Sequence, residues 1–586
     1  MKITHKLNST ALAKNIRKDI NFLITNKIGG YCLLGDKPIS RYQGVFLLHN
    51  SDMYKIIEDI KLLNAGLIKE ILNKFSSIER KKGKFREEFF MPYGYDALVY
   101  ELNQPGETEI TLDIRKSYGN PELGRIYNIS KSKTGIIVNY KHEKTNMYLV
   151  IKSDSNDFKI IDEWIKREYN YDKERQTYPS EKYIYKALSI KAKKIVFAFF
   201  PAKKQAIEEA EYVFKNLERL KEHQKIYVSN INGKKPRDME RKMAKKCAIS
   251  SLNKLVVNLK NTRGIFAGLP WFFQFWSRDE LISLKALLLN SQEREVKDIL
   301  LKNLNAVKEG VLPNITMPNS SKSNADAIGW LFKRIQDSLF IFSEKEKAKI
   351  KTKLVAAINH INKNLIKEDL VYNKAKQTWM DTEYQGDNRE GFRIEIQVLF
   401  LNMLKLAYEL TRDEKYFKRE IEIRNTIREK FWNGKILADG LDDFTIRPNI
   451  FIAAYLYPEL LSIKEWTICF ENIIPKLWLA WGGFASIDKK HPLFCKDYTG
   501  EIKQSYHRGD SWFWANNLAA LVLHRTNKRK FKNYIEKIIK ASSKEILFSG
   551  AIGHSAELSS ASAMKSQGCF AQAWSNAMFI ELIDEI

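Results

Sequence analysis

The pattern of apolar and polar residues changes once along the chain, close to residue 200. Before this point, short runs rich in Val, Ile, Phe and Tyr are separated by polar turns, which is typical of antiparallel strands. The clearest of these runs are VFLLH, GYDALVYEL, ITLDI, GIIVNY, MYLVIKS and KIVFAFF. We therefore predict an N-terminal β-rich domain over residues 1–203, built as an antiparallel sheet or sandwich.

Helical periodicity replaces this pattern in the rest of the chain. Residues 204–236 begin with a charged amphipathic stretch and predict a helical linker. Over residues 237–586, the spacing of apolar residues predicts about a dozen helices. They cover roughly 237–259, 279–290, 293–308, 326–341, 345–365, 392–411, 414–431, 449–461, 463–475, 510–526, 529–547 and 570–584.

The connections between these helices alternate in length. Short connections lie near residues 291, 343, 412, 462 and 527. Long connections span residues 260–278, 309–325, 366–391, 432–448, 476–509 and 548–569. Because short links favour antiparallel helix hairpins, alternate connections emerge at the same end. The long loops should therefore converge on one face, where functional residues are usually found.

These long loops are unusually rich in tryptophan. Eleven of the 12 Trp residues follow residue 270. Those in or beside the long loops are Trp271, Trp276, Trp379, Trp432, Trp478, Trp481 and Trp512. A sugar ring has apolar C–H faces and a rim of hydroxyls, so aromatic faces beside carboxylates and amides suit sugar binding. The alternative is that these residues only fill one end of the helical domain.

The formal charge of +27 makes nucleic acid a candidate partner. The lysines, however, occur singly or in short runs along the whole chain, and no RNA-binding signature is present. A solvated basic surface explains this distribution better than a nucleic-acid footprint. We expect no nucleic-acid partner.

Other features of the sequence restrict the location and the cofactors. No run of about 18 apolar residues predicts a membrane span, and the N-terminus does not resemble a signal peptide. The five cysteines lie far apart and form no CxxC pair, which fits a reducing cytoplasm. Because HExxH, Walker A and GxGxxG motifs are absent, we expect no metal or other cofactor.

Hydrolysis of a glycosidic bond would fit loops that combine aromatic and acidic residues. It needs a carboxylic acid that protonates the leaving oxygen, and an inverting enzyme also needs a carboxylate base that activates water. Composition alone cannot select two carboxylates among the 70 acidic residues. The selection depends on sequence motifs.

Several motifs resemble those of glycogen debranching enzymes, in their amylo-α-1,6-glucosidase domain. In family order they are GLPWFFQFWSRDELIS (268–283), TWMD (378–381), RIEI (393–396), RPN (447–449), YHRGDSWFW (506–514) and QGCFAQAWS (567–575). Near the N-terminus, GGY (29–31) and SRYQG (40–44) resemble the first domain of archaeal and bacterial members. The resemblance covers nearly the whole chain.

This resemblance implies an N-terminal β-sandwich-like domain followed by a C-terminal (α/α)6 barrel related to glucoamylases. It also implies an inverting, metal-free mechanism. Asp381, in the TWMD segment, is the candidate general acid, and Glu557 aligns with the general base. The candidate substrate-binding residues are Trp276, Arg278, Asp279, Asp326, Trp379, Glu395, His507 and Trp512.

Plainer structural roles remain as alternatives for several of these residues. Asp381 could cap a helix, and Glu557 could be a solvated loop acid. Arg278 and Asp279 could form a structural ion pair, and Asp326 could be a helix N-cap.

A general acid must hold its proton near neutral pH, which requires burial or a neighbouring carboxylate. We expect Trp379 and Met380 to cover Asp381 and Glu395 to supply negative charge. Ser277 and Phe400 replace the Gly and Trp that are usual in the family, which could alter the linkage preference.

Together these features predict an exo-acting hydrolase that releases glucose from α-1,6 branch points of glycogen-like α-glucans or branched oligosaccharides. One alternative is an α-1,4-preferring glucoamylase or a hydrolase of another small glucoside. A third is a non-catalytic glucan-binding protein. The sequence does not predict an oligomeric state.

Overall fold

The computed structural model describes residues 1–17, 20–230, 238–259, 262–317 and 324–586. The chain forms two compact units. The first contains Met1–Asn232, Arg237–Asn261 and Ile546–His554, and the second is built mainly from Thr262–Glu545 and Ser555–Ile586. The predicted domain boundaries stay predictions, and the end of the predicted linker, 231–236, lies outside the described residues.

One branched sheet of 15 strands dominates the described part of the first unit. Its strands are β1 (Lys2–Leu7), β2 (Thr10–Asn15), β3 (Phe22–Thr25), β4 (Tyr31–Leu34), β5 (Gly44–His49), β6 (Asp52–Leu62), β7 (Ile68–Asn73), β8 (Ile78–Lys82), β9 (Phe85–Phe90), β10 (Ala97–Lys116), β11 (Ile126–Ser132), β12 (Gly135–His142), β13 (Thr145–Ser153), β14 (Phe158–Glu168) and β15 (Glu181–Phe200). The pairing is antiparallel apart from β1 with β7.

The two long strands explain why the sheet branches. β10 pairs with β9 near its start and with β6 near its end, and β15 changes from β14 to β13. Bulges interrupt the register of β10, and strands that bend at bulges pass between the layers of a sandwich. The predicted antiparallel, sandwich-like domain is confirmed.

Helices α1 (Asn170–Glu174), α2 (Lys203–Lys215), α3 (Leu217–Ser229) and α4 (Met239–Leu255) also belong to the first unit, with a short strand, β16 (Val256–Leu259). Ala206, Ala210 and Val213 lie on one face of α2 and pack against Val99 and Val196 of the sheet. This spacing of four and three residues is that of an amphipathic helix. The stretch predicted as a helical linker therefore covers one face of the sheet.

Eleven helices form the described part of the second unit. They are α5 (Ser277–Leu289), α6 (Glu293–Ala306), α7 (Ala327–Asp337), α8 (Glu344–Asn364), α9 (Ile394–Thr411), α10 (Glu414–Phe431), α11 (Asn449–Leu456), α12 (Ile463–Leu477), α13 (Phe513–Asn527), α14 (Lys532–Phe548) and α15 (Ala573–Glu585). With α4, each of the dozen predicted helices is present. The described residues also contain three short 3₁₀ turns, which cover Leu339–Ile341, Pro458–Leu460 and Gly500–Ile502.

Six of these helices close an inner ring. Each helix in the order α5, α7, α9, α11, α13 and α15 contacts the next one, and α15 contacts α5. The inner helices are buried on every face, as α15 shows, whereas α8 buries only a stripe that includes Ile350, Leu354, Ala357 and Ile361. Burial of this kind separates inner from outer helices. The unit is an (α/α)6 barrel, as predicted.

The long connections all precede inner helices, so they meet at the N-terminal end of the ring. They contain short strands: β17 (Thr262–Ile265), β18 (Gly268–Leu269), β19 (Phe275–Trp276), β20 (Ile315–Met317), β21 (Ile366–Lys367), β22 (Leu370–Val371), β23 (Trp478–Leu479), β24 (Gly483–Phe484), β25 (Ser511–Trp512), β26 (Leu558–Ser559) and β27 (Ala571–Gln572). β18 pairs with β27, and β25 pairs with β26. These pairings tie loops that are distant in sequence to each other. Among the described residues, no helix has the length and apolar character to cross a membrane.

Candidate active site

A cavity of about 210 Å³ lies at the N-terminal end of the inner helices. This is smaller than the ~300 Å³ at the low end of pockets for drug-sized ligands. Its walls come from the ends of four long loops and the starts of three inner helices. The lining residues are Ala267, Phe272, Trp276, Arg278, Asp279, Trp379, Asp381, Thr382, Lys503, Tyr506, Trp512, Glu557, Gln572 and Trp574. The predicted convergence of long loops is confirmed for these four.

Asp381 enters the cavity from the loop before α9, and its side chain keeps 35% of its surface exposed. An Arg278 guanidinium nitrogen lies 3.7 Å from Oδ2, and His507 Nε2 lies 3.7 Å from Oδ1. Burial raises the pKa of Asp381, but His507 and Arg278 outweigh that effect, so the pKa lies below its usual value. The expected upward shift of this pKa is therefore wrong. Asp381 is not a helix cap either, because α9 begins only at Ile394.

Arg278 and Asp326 form a buried pair behind this carboxyl. Arg278 Nε donates to Asp326 Oδ2 over 2.6 Å, and both side chains are almost fully buried. Asp326 occupies the N-cap position of α7 but makes no capping hydrogen bond, and Asn324 accepts from Ala327 instead. Asp326 thus orients Arg278 toward Asp381.

Asp279 is a second acidic wall of the cavity. Its Oδ1 accepts a 3.1 Å hydrogen bond from Gln572 Nε2, which joins the start of α5 to the start of α15. Burial raises the pKa of Asp279 to about 8, while Arg278 opposes this shift and the carboxylates of Asp381 and Glu557 add to it. The side chain is therefore largely neutral near pH 7.

Glu557 is 3% exposed and is not a solvated loop acid. The Tyr506 hydroxyl donates a hydrogen bond to Oε1, and the Cys569 N–H donates one to Oε2 over 2.8 Å. Burial and the nearby Glu557 raise the pKa of Tyr506 well above its usual value, so the phenol stays a donor. A Cβ on Gly568, whose φ is +67°, would lie 2.3 Å from Glu557 Oε2. Only glycine allows this approach.

Aromatic side chains form the rest of the wall. Trp379 lies edge-on to Trp512 at 5.4 Å between ring centroids, and its indole N–H donates to Asn449 over 2.6 Å. His507 stacks on Trp512 at 5.0 Å and lies behind the wall. Burial lowers the pKa of His507 to about 4, so it faces Asp381 as a neutral ring.

Four other loop tryptophans lie outside the cavity lining, which fits the alternative that they only fill one end of the helical domain. Trp271 packs against Phe570, and Trp478 packs against Tyr534. Trp432 and Trp481 also lie outside the cavity lining. Trp276 does line the cavity, together with Trp574, which the sequence did not single out.

Glu395 lies outside the cavity lining, in a buried network. Its Oε1 accepts from Arg389 over 2.6 Å, and Arg389 also binds Asp439. Glu395 is paired with Arg389 and is not among the main causes of the pKa shift of Asp381, so the expectation that it supplies negative charge there is not supported. Its other oxygen is buried without a hydrogen-bond partner among the described residues.

Two arginines that the sequence left without a role hold the Asp381 loop. Arg508 donates to the Thr382 carbonyl over 3.0 Å, directly beside Asp381. Arg447 donates to the His507 carbonyl, also over 3.0 Å. Both guanidinium groups contact the same carboxylate oxygen, Asp387 Oδ2. Arg447 lies in the RPN motif and Arg508 in YHRGDSWFW, so the motifs contained this signal.

Lys503 carried no sequence signal, because it lies in a long polar loop between helices. It lines the cavity and lowers the pKa of Asp381 further. The cavity thus combines three carboxyl groups, two cations and a wall of indoles. Such a set of groups can both donate and accept protons. Among the described residues, no group of three or more His, Cys, Asp or Glu side chains could hold a metal ion.

Comparison with known proteins identifies the family and a similar fold. Residues 249–581, more than half of the chain, match the family model described as amylo-alpha-1,6-glucosidase. No match was found among curated proteins. Among solved structures, the chain is similar to the crystal structure of a bacterial glucoamylase complexed with acarbose. The TM-score is 0.64 at 11% sequence identity, covering 100% of this chain and 97% of that chain.

The structural likeness supports the fold, and the family model covers the helices and loops that build the cavity. The chain belongs to the amylo-α-1,6-glucosidase family and is a glycoside hydrolase.

Proposed function

We propose that the protein is an inverting, exo-acting hydrolase that releases glucose from α-1,6 branch points of glycogen-like α-glucans. The observation that carries this proposal is that Asp381 and Glu557 line one small cavity whose walls include four tryptophans. A cavity of this size suits one terminal sugar ring. The family match supports the α-1,6 linkage, and the complex of the similar glucoamylase with acarbose supports a saccharide ligand.

Asp381 acts as the general acid in this proposal. A sugar ring that enters the cavity displaces water from the exposed part of this carboxyl, which strengthens the burial effect and raises its pKa. The protonated carboxyl then gives its proton to the glycosidic oxygen as the bond to the anomeric carbon breaks. The leaving alcohol is the remainder of the glucan.

Glu557 acts as the general base. Hydrogen bonds from Tyr506 and from the Cys569 amide stabilise its ionised form and fix its orientation. The carboxylate takes a proton from a water molecule, whose oxygen attacks the anomeric carbon on the face opposite the leaving group. The configuration at that carbon is inverted.

Other lining residues bind the terminal glucose. Arg278, held by Asp326, can donate to sugar hydroxyls, since one of its terminal nitrogens is buried without a hydrogen-bond partner in the described structure. Asp279, neutral near pH 7, can donate as well as accept. Trp276 and Trp512 offer aromatic surfaces for the apolar faces of the ring.

The reducing environment suggested by five free cysteines, four of them buried, supports a cytoplasmic location.

The linkage preference follows as an expected result. A maltooligosaccharide that carries a single α-1,6-linked glucose should be hydrolysed with kcat/KM at least about tenfold above that for the linear isomer, a difference of ~1.4 kcal/mol in barrier. Initial rates of glucose release measure both values. The opposite preference would make the protein an α-1,4-glucosidase, and binding of both sugars without glucose release would make it a glucan-binding protein.

A further inference from the structure

One buried carboxyl outside the cavity contacts the segment that carries Glu557. Glu545, on α14, is 1% exposed. It accepts from the Ala556 N–H over 3.1 Å, from the Ser555 hydroxyl over 3.1 Å and from the Ser566 hydroxyl over 2.7 Å. None of these contacts involves a residue of the cavity lining, and the proposed reaction does not use them.

These three donors lie at both ends of a hairpin around Glu557. The Glu557 N–H donates to the Cys569 carbonyl over 2.9 Å, and Leu558 and Gln567 exchange hydrogen bonds. Ser555 and Ala556 directly precede Glu557, and Ser566 begins the return strand that brings the Cys569 N–H to the Glu557 carboxylate. Glu545 therefore joins the outgoing strand of the hairpin to its return strand.

A long helix supports this junction. α14 spans Lys532–Phe548, so Glu545 projects from a rigid element rather than a loop. If the carboxyl were lost, one amide and two hydroxyls would be left buried without their acceptor, and the hairpin would have to move to satisfy them. A displacement of about 1 Å at a reacting group lowers a rate by roughly 10²-fold.

We infer that Glu545 is a positioning residue that holds Glu557 in place for activation of the attacking water. The inference rests on the proposed role of Glu557 as general base. Glu545 touches neither the sugar nor the water and acts only through the hairpin.

The chemistry of Glu545 allows a conservative rescue. Burial raises its pKa to about 7, while its three hydrogen bonds oppose that shift, so the carboxyl is part neutral at neutral pH. An amide at this position can accept from Ala556 and Ser566 through its oxygen and donate to the Ser555 hydroxyl through its nitrogen. Methionine fills a similar volume without an acceptor of comparable strength.

The test compares Glu545→Met with Glu545→Gln on α-glucosyl fluoride, whose leaving group needs no proton from Asp381. Glu545→Met should lower kcat by roughly 10²-fold while KM changes by less than about threefold, and Glu545→Gln should stay within about fivefold of the parent protein. Glu420→Met is the matched control, because Glu420 is a buried glutamate of α10 that binds Tyr457 away from the cavity. This control should lower the melting temperature and leave kcat unchanged.

Three outcomes decide the inference, with Glu557→Gln measured in parallel. If Glu557→Gln is inactive and Glu545→Met has a normal kcat, the positioning role is wrong and the proposed function stands. If Glu557→Gln is active, the base assignment fails and the positioning role fails with it. If Glu545→Met does not fold, Ser566→Ala replaces it, with an expected loss of about tenfold in kcat at constant KM. A normal kcat for that variant would overturn the inference.

Discussion

The Glu557→Gln variant is expected to lose about 10²- to 10⁴-fold in kcat on every glucoside that the protein hydrolyses. An amide cannot take a proton from the attacking water, so the step that forms the new bond loses its base. The loss should be as large on α-glucosyl fluoride as on a branched oligosaccharide, because both reactions need an activated water. Steady-state kinetics on the two substrates measure it.

The fold should survive this substitution. The amide oxygen can accept from the Cys569 N–H, and the amide nitrogen can donate to the Tyr506 hydroxyl, which occupies the matching position beside the native carboxylate. Glu420→Gln provides the control for exchanging a buried glutamate of the same barrel. A kcat for Glu557→Gln within about tenfold of the parent protein would remove Glu557 from the reaction.

The Asp381→Asn variant should separate the two substrates. On a branched oligosaccharide we expect a loss of about 10²- to 10⁴-fold in kcat, because the alcohol must leave with a proton. On α-glucosyl fluoride the loss should be less than about tenfold, since fluoride leaves without general acid catalysis. Asp337→Asn is the control, because Asp337 ends α7 and lies at the far end of that helix from Asp326. Equal losses on both substrates would contradict the role of Asp381 as acid.

The pH profile of the parent protein provides a second test of this role. Asp381 works when protonated, and its pKa in the free protein is lowered by His507, Arg278 and Lys503 against the effect of burial. Activity in kcat/KM should therefore fall as pH rises through this lowered pKa. In kcat, which reports the complex, the same fall should occur at higher pH, because the bound sugar displaces water from the carboxyl. A fall in kcat at lower pH than the fall in kcat/KM would contradict the role of Asp381 as general acid.

The helices of the barrel could be predicted because each carries its own periodic pattern. The stripe of Ile350, Leu354 and Ala357 on α8 is visible in the sequence before any contact is known. The alternation of connection lengths then placed the long loops at one end. Branching of the β-sheet could not be predicted, because it depends on where β10 and β15 exchange partners rather than on any local pattern.

The cavity was predictable where motifs and loops coincide. Asp381 and Glu557 lie 176 positions apart in the sequence, yet both occur in long loops and both line the cavity. Glu395 also occurs in a motif, but Arg389 binds it away from the cavity. Glu545 has no motif and no unusual neighbours, and its contacts with the Glu557 hairpin exist only in three dimensions.

The direction of the pKa shift of Asp381 also depends on contacts that exist only in three dimensions. The neighbouring Trp379 and Met380 are apolar, and sequence alone suggested a carboxyl that stays protonated. Arg278 and His507 come close to Asp381 only in the folded barrel, and together they reverse the effect of burial. Polar groups brought together from distant loops therefore decide the direction of a pKa shift that the local sequence cannot.

The anomeric form of the released glucose tests the central claim most directly. Proton NMR can follow the first minutes of hydrolysis of a maltooligosaccharide with one α-1,6-linked glucose, before mutarotation mixes the anomers. An inverting reaction at Asp381 and Glu557 predicts that β-glucose appears first and that α-glucose follows only by mutarotation. Initial release of α-glucose would contradict the inverting mechanism, and release of no glucose would contradict the proposed hydrolysis itself.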